Sequence, residues 1–243
     1  MKIALLGYGK MGHVIESIAL QRNHEIPLII DNQEDWNLKE QELPACDVAI
    51  DFSTPATAVH NIEKCFSHHI PVVVGTTGWY GAYESLAARC TSEHQSLFVA
   101  SNFSIGVNIL FELNQRLAAI MNRYPDYSPS IVETHHIHKL DAPSGTAVTL
   151  ANGLLQEMDR LDSWALTDAG KDAPAPESCV LPITAIREGE VPGIHEITYD
   201  SPFDTLSLRH SAKSRQGFAA GAVLAAEYLV AHPGLRTMKD LLQ

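Results

Sequence analysis

The feature that most restricts the fold is a glycine-rich turn near the start of the chain. An apolar run at residues 2–6 leads into Gly7-Tyr8-Gly9-Lys10-Met11-Gly12, and apolar side chains then recur at helical spacing. This order predicts a strand, a tight turn and a helix. The first glycine permits the turn, the second lets the backbone approach a pyrophosphate, and the third lets the helix pack closely on the strand. The chain is therefore predicted to begin with a dinucleotide-binding unit.

An acidic residue at the end of the next apolar run supports that prediction. Residues 26–30 form this run, and Asp31 follows it directly. An acid at this place accepts hydrogen bonds from the ribose hydroxyls of the adenosine. Further apolar runs at residues 48–52, 72–74 and 97–100 alternate with helical patterns up to about residue 103. Such alternation is typical of an α/β protein with a doubly wound, Rossmann-type parallel sheet.

Two loops that follow predicted strands are expected to contact the same ligand. Residues 75–78 follow one strand, and residues 100–103 follow the next. Ligands bind beyond the carboxyl ends of parallel strands, so both loops lie at the binding edge. The polar groups of Thr76, Thr77 and Asn102 can hydrogen-bond a nicotinamide amide, although ordinary loop chemistry also explains these residue types.

Beyond residue 105 the pattern predicts a second, α+β domain. Helices or strands are predicted at residues 105–123, 130–134, 143–160, 180–187, 193–199, 205–210 and 216–231. The later strands indicate a mostly antiparallel or mixed sheet, and the polar segment 161–178 is interpreted as a loop. The last helix, rich in glycine and alanine, is expected to pack closely and to return to the first domain. We therefore expect one domain at residues 1–103, completed by residues 212–243, and another at residues 104–211.

A cluster of basic residues precedes a predicted helix start in the second domain. His135, His136, His138 and Lys139 lie shortly before Pro143-Ser144-Gly145-Thr146. Proline suits the first turn of a helix, and the hydroxyl and N–H groups after it lie at the positive end of the helix dipole, where a carboxylate binds well. Histidine and lysine supply charge and exchange protons near neutral pH. This segment predicts anion binding combined with proton transfer.

Two other interpretations of this segment remain open. The histidines can be ordinary strand-end residues, and the Pro-Ser-Gly-Thr run can be a plain helix cap. A metal site is the sharper alternative, but in an extended segment His135 and His136 point to opposite faces, with His138 on the side of His136. The nearest acids are Glu133 and Asp141, and no cysteine lies nearby. We predict no metal site.

The composition predicts a globular protein without nucleic-acid or membrane partners. Of the 243 residues, 45% are hydrophobic and 19% are charged, as in folded proteins. The net charge of −12 opposes binding to nucleic acid or to an acidic membrane surface. An anionic ligand therefore needs local basic groups, such as those of the histidine segment, Lys213 and Arg215, the last two of which can equally be solvated surface charges. Scattered cysteines without CxxC spacing, and the lack of a signal or spanning pattern, lead us to expect a cytoplasmic location.

Taken in order along the chain, these motifs resemble those of the dihydrodipicolinate reductase family. The resemblance covers nearly the whole length. It includes the glycine turn, residues 75–78, residues 101–108, residues 135–146, Arg187-Glu188-Gly189 and Ser214-Arg215. The most specific motif is the string His-His-x-x-Lys-x-Asp-Ala-Pro-Ser-Gly-Thr-Ala, which begins at His135.

The resemblance implies a reductase that transfers a hydride from NADH or NADPH to 4-hydroxy-tetrahydrodipicolinate, or to its dehydrated form, in lysine and diaminopimelate biosynthesis. It implies a Rossmann domain for the cofactor and a sheet domain that binds this small dicarboxylate and forms a homotetramer. His135 and Lys139 correspond to the proton-donating pair. The substrate contacts correspond to His136, Ser144, Gly145 and Thr146. The cofactor contacts correspond to Gly7, Tyr8, Gly9, Lys10, Met11, Gly12, Asp31, Gly75, Thr76, Thr77, Ala100, Ser101, Asn102 and Phe103.

One position departs from the family pattern. Many relatives follow the ribose-binding acid with an arginine that meets a 2′-phosphate, whereas Asn32 follows Asp31 here, with Glu34 and Asp35 close in sequence. These acids repel a 2′-phosphate, while the free 2′-hydroxyl of NADH can donate to Asp31. We therefore expect NADH to be favoured over NADPH.

Two further functions stay open on the sequence alone. An amino-acid or imino-acid dehydrogenase of the same fold, such as an aspartate dehydrogenase, would keep the glycine turn but has no need of the carboxylate turn at residues 143–146. An NAD(H)-responsive sensor would lack turnover and would not require a Lys139 placed to donate a proton.

Overall fold

The computed structural model describes residues 1–167 and 179–243, which divide into two units. One unit comprises Met1–Ile105 together with Arg215–Gln243, and the other comprises Gly106–Ser214. The chain therefore leaves the first unit after residue 105 and returns to it at residue 215. Within the described ranges, no helix is long and apolar enough to cross a membrane.

The elements are numbered in chain order. The strands are β1 (Lys2–Leu6), β2 (Glu25–Ile30), β3 (Val48–Asp51), β4 (Val72–Val74), β5 (Leu97–Val99), β6 (Ser128–His135), β7 (Ser163–Thr167), β8 (Val180–Arg187), β9 (Ile194–Asp200), β10 (Thr205–Ser211) and β11 (Leu235–Arg236). The α-helices are α1 (Lys10–Gln21), α2 (Gln33–Lys39), α3 (Pro55–Ser67), α4 (Tyr83–Ser92), α5 (Ile105–Met121), α6 (Gly145–Glu157), α7 (Gln216–Ala231) and α8 (Met238–Leu241). Short 3₁₀ helices cover Glu40–Ala45 and Tyr80–Ala82.

A parallel sheet forms the centre of the first unit, in the order β11-β5-β4-β3-β1-β2. Because successive side chains of a strand point to opposite faces, β1 feeds two cores. Ile3 and Leu5 join a core with residues of α1 and α7, whereas Ala4 and Leu6 join a core with residues of α3. The predicted doubly wound parallel sheet is confirmed. The edge strand β11 was not predicted, because two residues are too few to form a recognisable pattern.

Helix α7 packs closely within the first unit because it lacks side-chain bulk at one position. A Cβ atom added to Gly221 would come within 1.7 Å of the carbonyl oxygen of Phe103. The same helix contributes small buried side chains to the core that contains Ile3 and Leu5. Helix α7 therefore forms part of the core of the first unit.

The sheet of the second unit has the order β10-β9-β6-β8-β7, which confirms the predicted mixed sheet but corrects one predicted loop. Strands β10, β9 and β6 pair antiparallel, whereas β6, β8 and β7 pair in parallel, so the sheet is mixed. The loop predicted at residues 161–178 contains β7, while residues 168–178 lie outside the described residues. Strand β7 was missed because its five residues begin a segment that is mostly polar further along, and it lies at the edge of the sheet beside β8.

Helices α5 and α6 cover one face of this mixed sheet. Their apolar residues form a core with the inward side chains of β6, β8 and β9, among them Ile131, Ile183 and Ile197. The amide of Asn114 donates from Nδ2 to the carbonyl of Leu150 at 3.0 Å, which joins the two helices. The long predicted helix at residues 105–123 ends two residues earlier than expected, at Met121.

The start of α6 corrects the role predicted for Pro143. Ser144 is the N-cap residue, and its Oγ accepts from the backbone N–H of Ala147 at 3.2 Å. The helix runs over Gly145–Glu157, so Pro143 lies before the cap and not in the first turn. Serine suits the N-cap position because its hydroxyl accepts a hydrogen bond from an otherwise unpaired helical N–H group. The side chain of proline cannot do so.

Candidate active site

The glycine turn between β1 and α1 has the conformation that a closely approaching ligand requires. Gly7 has a φ of +91°, and a Cβ there would lie 2.4 Å from the carbonyl oxygen of Phe52. A Cβ on Gly12 would lie 2.7 Å from the carbonyl oxygen of Gly7. Gly9, in contrast, has no atom within 4 Å of such a Cβ, and it caps α1 without a side-chain hydrogen bond. The first turn of α1 is thus open for a pyrophosphate.

The acidic segment after β2 is organised by hydrogen bonds within the first unit. The exposed Asp31 accepts at Oδ1 from the backbone N–H of Tyr8 at 2.6 Å. Asn32 caps α2, because its Oδ1 accepts from the N–H groups of Glu34 and Asp35 at 2.9 and 3.1 Å. Lys39 is paired with Asp35 at 2.6 Å. Lys39, the cation nearest in sequence to Asp31 on this segment, is therefore already paired with a carboxylate.

The loop after β4 places its two threonines differently. The buried Thr76 donates from Oγ1 to Asp51 Oδ1 at 2.5 Å and accepts at Oγ1 from the N–H of Ser53 at 2.8 Å. The indole of Trp79 donates to the carbonyl oxygen of Thr76 at 2.8 Å. Thr77 is exposed. Of the two nicotinamide contacts predicted in this loop, Thr77 therefore exposes its side chain to solvent. The hydroxyl of Thr76 is instead engaged in hydrogen bonds within the protein.

Asp51, which sequence reasoning missed, connects this loop to the segment after β2. Its carboxylate is fully buried at the end of β3, and Asn61 donates from Nδ2 to Oδ2 at 2.6 Å. Asn61 accepts at Oδ1 from the indole N–H of Trp36 in α2 at 2.9 Å. Burial raises the pKa of Asp51, against the opposing effect of hydrogen bonds from Thr76, Asn61 and Ser53.

Residues 100–103 follow β5 at the same edge of the sheet. Asn102 accepts at Oδ1 from the N–H of Ser104 at 2.8 Å, and Phe103 is buried against Phe98 and Phe52. Ser101 is exposed. Their predicted roles in cofactor binding stay predictions.

In the second unit, the alternation of β6 brings Glu133 and His135 to one face. Both are buried, as is Ile131, whereas Val132 and Thr134 on the other face are half-buried. His136 follows the end of the strand and is half-buried. His135 is thus the last residue of β6, whereas His136 lies just beyond the strand.

Glu133 is the centre of a buried polar cluster. Its carboxylate is fully buried and accepts from the N–H of Ser144 at 3.1 Å and from the guanidinium of Arg187 at 3.1 Å. His135 Nδ1 is buried and lies 3.4 Å from Glu133 Oε2, within ion-pair distance. Burial raises the pKa of Glu133, but His135, Ser144 and Arg187 outweigh it and lower the pKa to about 2. The carboxylate is therefore a fixed anion at working pH.

His195 on β9 completes the cluster. It lies directly opposite Glu133 in the strand register, and its Nε2 is 3.1 Å from Ser144 Oγ. Burial, followed by the charge of His135, lowers the pKa of His195 to about 4. The imidazole is consequently neutral at pH 7 and serves as a hydrogen-bond partner of the serine. Both polar groups of Ser144, a predicted substrate contact, are used within the protein.

The loop between β6 and α6 carries the predicted lysine. Lys139 Nζ pairs with both carboxylate oxygens of Asp141, at 2.8 and 2.9 Å. Arg187 donates to the carbonyl oxygens of Lys139 and Asp141 at 3.4 and 2.7 Å. His138 points away to an exposed partner, Glu190, at 3.2 Å. The loop thus holds Lys139 near the cluster.

The start of α6 presents the predicted carboxylate site. Gly145 is exposed and has no atom within 4 Å of an added Cβ, and Thr146 is half-buried. Their N–H groups lie in the first turn of a long helix, where an anion is stabilised. Lys213 and Arg215 are exposed.

A metal-compatible arrangement exists within the described residues. Glu133, His135 and His195 offer ligand atoms that all lie within 4.8 Å of one another. Both oxygens of Glu133 already accept hydrogen bonds, and one of their donors is the guanidinium of Arg187. A metal ion would have to displace these donors, so the cluster fits a buried anion paired with cations better than it fits a metal centre.

Sequence reasoning gave no role to Glu133 or His195. The signal was available in part, because Ile131, Glu133 and His135 alternate on one face of β6, and His195, Ile197 and Tyr199 alternate on β9. An acid or histidine within such an apolar set indicates a buried polar group. Its partners were not readable, because Ser144 and Arg187 lie on other elements.

Comparisons with known proteins agree along the whole chain. Residues 1–103 match the family described as dihydrodipicolinate reductase, N-terminus, and residues 106–242 match dihydrodipicolinate reductase, C-terminus. A Christiangramia forsetii protein named 4-hydroxy-tetrahydrodipicolinate reductase is 50% identical over 243 residues, covering 100% of this chain and 98% of that protein. A protein of the same name from Magnetococcus marinus is 36% identical over 198 residues, covering 81% of this chain and 73% of that protein.

A solved structure shares the fold. It is the dipicolinate-bound dihydrodipicolinate reductase from Paenisporosarcina sp. TG-14, with a TM-score of 0.76 and 21% identity. The match covers 98% of this chain and 97% of that chain.

Proposed function

Because this chain belongs to the dihydrodipicolinate reductase family, we propose that it reduces 4-hydroxy-tetrahydrodipicolinate, or its dehydrated form, to tetrahydrodipicolinate with NAD(P)H. The pathway would be lysine and diaminopimelate biosynthesis. The observation that carries the assignment is the histidine and lysine cluster beside an open helix start in the second unit, combined with a glycine turn shaped for a dinucleotide in the first.

The first unit would hold the cofactor. The pyrophosphate fits the open first turn of α1 at Gly9, and Asp31 would accept from the adenosine ribose. Thr77 and residues 100–103 would contact the nicotinamide, with Thr76 supporting the loop through Asp51. The bound nicotinamide supplies the hydride.

The second unit would bind the dicarboxylate and supply the proton. A substrate carboxylate would accept from the N–H groups of Gly145 and Thr146 and from the hydroxyl of Thr146, with His136 as a further contact. Ser144 would stabilise this helix start as its N-cap residue. His135 and Lys139 would donate the proton that neutralises the negative charge created by hydride addition.

The decisive assay measures NADH oxidation with the freshly made condensation product of pyruvate and aspartate semialdehyde. Turnover supports the proposed reaction, and binding of NADH without turnover favours a sensor. Pyridine-2,6-dicarboxylate should compete with the substrate, and Thr146→Val should weaken that inhibition. Competition with the nucleotide instead would place the anion site elsewhere.

NADH is the proposed preferred cofactor. Asp31 is exposed beside the acidic start of α2, and the nearby Lys39 is paired with Asp35. A 2′-phosphate, with a charge of about −1.5 to −2, would meet this negative field. The specificity constant should favour NADH at low ionic strength, and the gap should narrow as salt rises.

The cofactor test uses steady-state kinetics with both nucleotides at two salt concentrations. Asp31→Ala/Asn32→Arg should shift the preference toward NADPH. Since Asn32 caps α2, that variant also loses about 1 kcal/mol of helix stability, whereas Asp31→Ala/Gln33→Arg keeps the cap and serves as its control. A clear NADPH preference of the unmodified protein at low salt would contradict the electrostatic argument.

A homotetramer in the cytoplasm is the proposed state. The sheet face opposite α6 carries half-buried Val132, Thr134 and Ile194 among its side chains, which offers an apolar surface to another copy. Light scattering of the purified protein tests this, and a monomer at micromolar concentration would contradict it.

A further inference from the structure

We propose that Glu133 is a positioning residue that turns His135 so that Nε2, and not Nδ1, donates the proton in the reaction proposed above. The inference rests on that proposed function. It adds the identity of the donating atom and a buried residue that controls it.

The contacts of the two imidazole nitrogens differ. Nδ1 is buried and faces Glu133 Oε2 at 3.4 Å. Nε2 faces Gly193, where an added Cβ would lie 3.1 Å away. The missing side chain of Gly193 therefore leaves space at Nε2, while the carboxylate occupies the side of Nδ1. A proton donor needs one nitrogen free to reach the substrate and gains from an anion at the other.

The same carboxylate fixes the parts of the site that must stay in register with His135. It accepts the N–H of Ser144, which precedes the carboxylate-binding turn of α6. It also binds Arg187, which holds the carbonyl oxygens of Lys139 and Asp141. One buried anion thus connects the helix start, the imidazole and the lysine loop.

The charge balance around Glu133 favours its ionised form. Cationic or neutral donors on β6, β8 and β9 face the carboxylate of Glu133. A further histidine lies on β10, the strand that pairs with β9. The titratable or charged groups concerned are Arg187, His195, His135, His210, Lys139 and Asp141. Replacing the carboxylate by an amide keeps the shape but removes the negative charge beside the imidazole.

The test compares Glu133→Gln with Glu133→Asp and with Glu190→Gln. Glu190 is a matched control because its carboxylate also contacts a histidine, His138, but on the exposed surface. Glu133→Gln should lower kcat at least about 10-fold and leave the Kd for NADH within about 2-fold. The alkaline limb of the pH–kcat profile should move to lower pH, because Glu133→Gln removes the negative charge 3.4 Å from the imidazole that donates the proton. Glu133→Asp should restore that limb, and Glu190→Gln should match the unmodified protein.

An unchanged kcat and pH profile in folded Glu133→Gln would overturn the inference while leaving the reaction intact. If the unmodified protein does not oxidise NADH with the proposed substrate, the proposed function is overturned, and the inference with it. If Glu133→Gln does not fold, Gly193→Ala provides the test, since its methyl group would crowd Nε2. A kcat within about 2-fold of the unmodified protein in Gly193→Ala would exclude Nε2 as the donor.

Discussion

Asp51 and Thr76 are joined by a hydrogen bond of 2.5 Å between carboxylate Oδ1 and hydroxyl Oγ1, and both side chains are buried. The bond ties the end of β3 to the loop after β4. Through Asn61 the same carboxylate is connected to Trp36 in α2. Segments predicted to contact opposite ends of the cofactor therefore share one buried acid.

We expect Thr76→Val to destabilise the protein and Thr77→Val to leave its stability nearly unchanged. Valine removes a donor to the buried carboxylate of Asp51, which costs about 1–3 kcal/mol. The exposed Thr77 lacks such a role, and its replacement should stay within about 0.5 kcal/mol. Urea unfolding measures both effects. An equal loss in the two variants would show that the Asp51 bond contributes nothing.

His135→Gln should lower turnover far more than cofactor binding. A positioned proton donor contributes about 10²–10⁴-fold to rate. Lys139→Ala should behave likewise, while His136→Ala should mainly raise KM for the substrate. Initial rates and NADH fluorescence titration separate turnover from binding. Unaltered kcat in both donor variants would remove the pair from the mechanism.

Gly221→Ala and Gly217→Ala, both in α7, should change stability in opposite directions. At Gly221 a methyl group would lie 1.7 Å from the carbonyl oxygen of Phe103, whereas at Gly217 it would meet nothing within 4 Å. Overpacking costs about 1–3 kcal/mol or more, and glycine to alanine in an open helical position gains up to about 1 kcal/mol. Thermal unfolding checks the signs. A neutral Gly221→Ala would mean that α7 can shift outward freely.

Acid should destabilise the protein in two successive windows. The pKa of His195 is lowered from 6.5 to about 4, chiefly by burial, so between these values the unfolded chain binds a proton that the folded chain does not. Stability therefore falls as the pH drops through that window. The pKa of Glu133 is lowered from 4.5 to about 2, and the stability it contributes above pH 4.5 is lost as the pH falls toward 2.

His195→Asn should reduce the difference in unfolding free energy between pH 7 and pH 4.5. His94→Asn is the matched control, because His94 is exposed and has a φ of +53°, which asparagine tolerates. Urea titrations at the two pH values give the difference directly. An unchanged difference in His195→Asn would assign the first window to other groups.

A chelator should leave activity intact. The carboxylate of Glu133 is paired with Arg187 and Ser144, so the proposed proton transfer by His135 would need no metal ion at this cluster. Incubation with EDTA before the assay, compared with added Zn²⁺, tests this expectation. Activity lost to EDTA and restored by metal would contradict it.

The features that depend on residues close together in the sequence could be predicted. The glycine turn, the parallel strands before residue 103 and the helix over residues 216–231 each follow from spacing along a short segment. The second sheet was predicted except for β7. This edge strand has only five residues and begins a segment whose later residues are mostly polar, so local composition indicated a loop instead.

The polar cluster could be predicted only in part, because its contacts are distant in sequence. The alternation of β6 marks Glu133 as buried, but its partner Arg187 lies 54 residues later. His195 faces Glu133 only because β9 pairs with β6 in that register. A single sequence gives the chemical types of such residues, while the tertiary pairing decides what they hold in place.

The discontinuous first unit has a consequence for the order of folding during synthesis. The sheet face with Ile3 and Leu5 is completed by α7, whose Ala222 and Val223 are fully buried in that core. During translation this apolar face therefore stays uncovered until nearly the whole chain has been synthesised. The residues of the second unit are all synthesised before that point. Nascent chains that stall before α7 should be substrates for chaperones that bind hydrophobic surfaces.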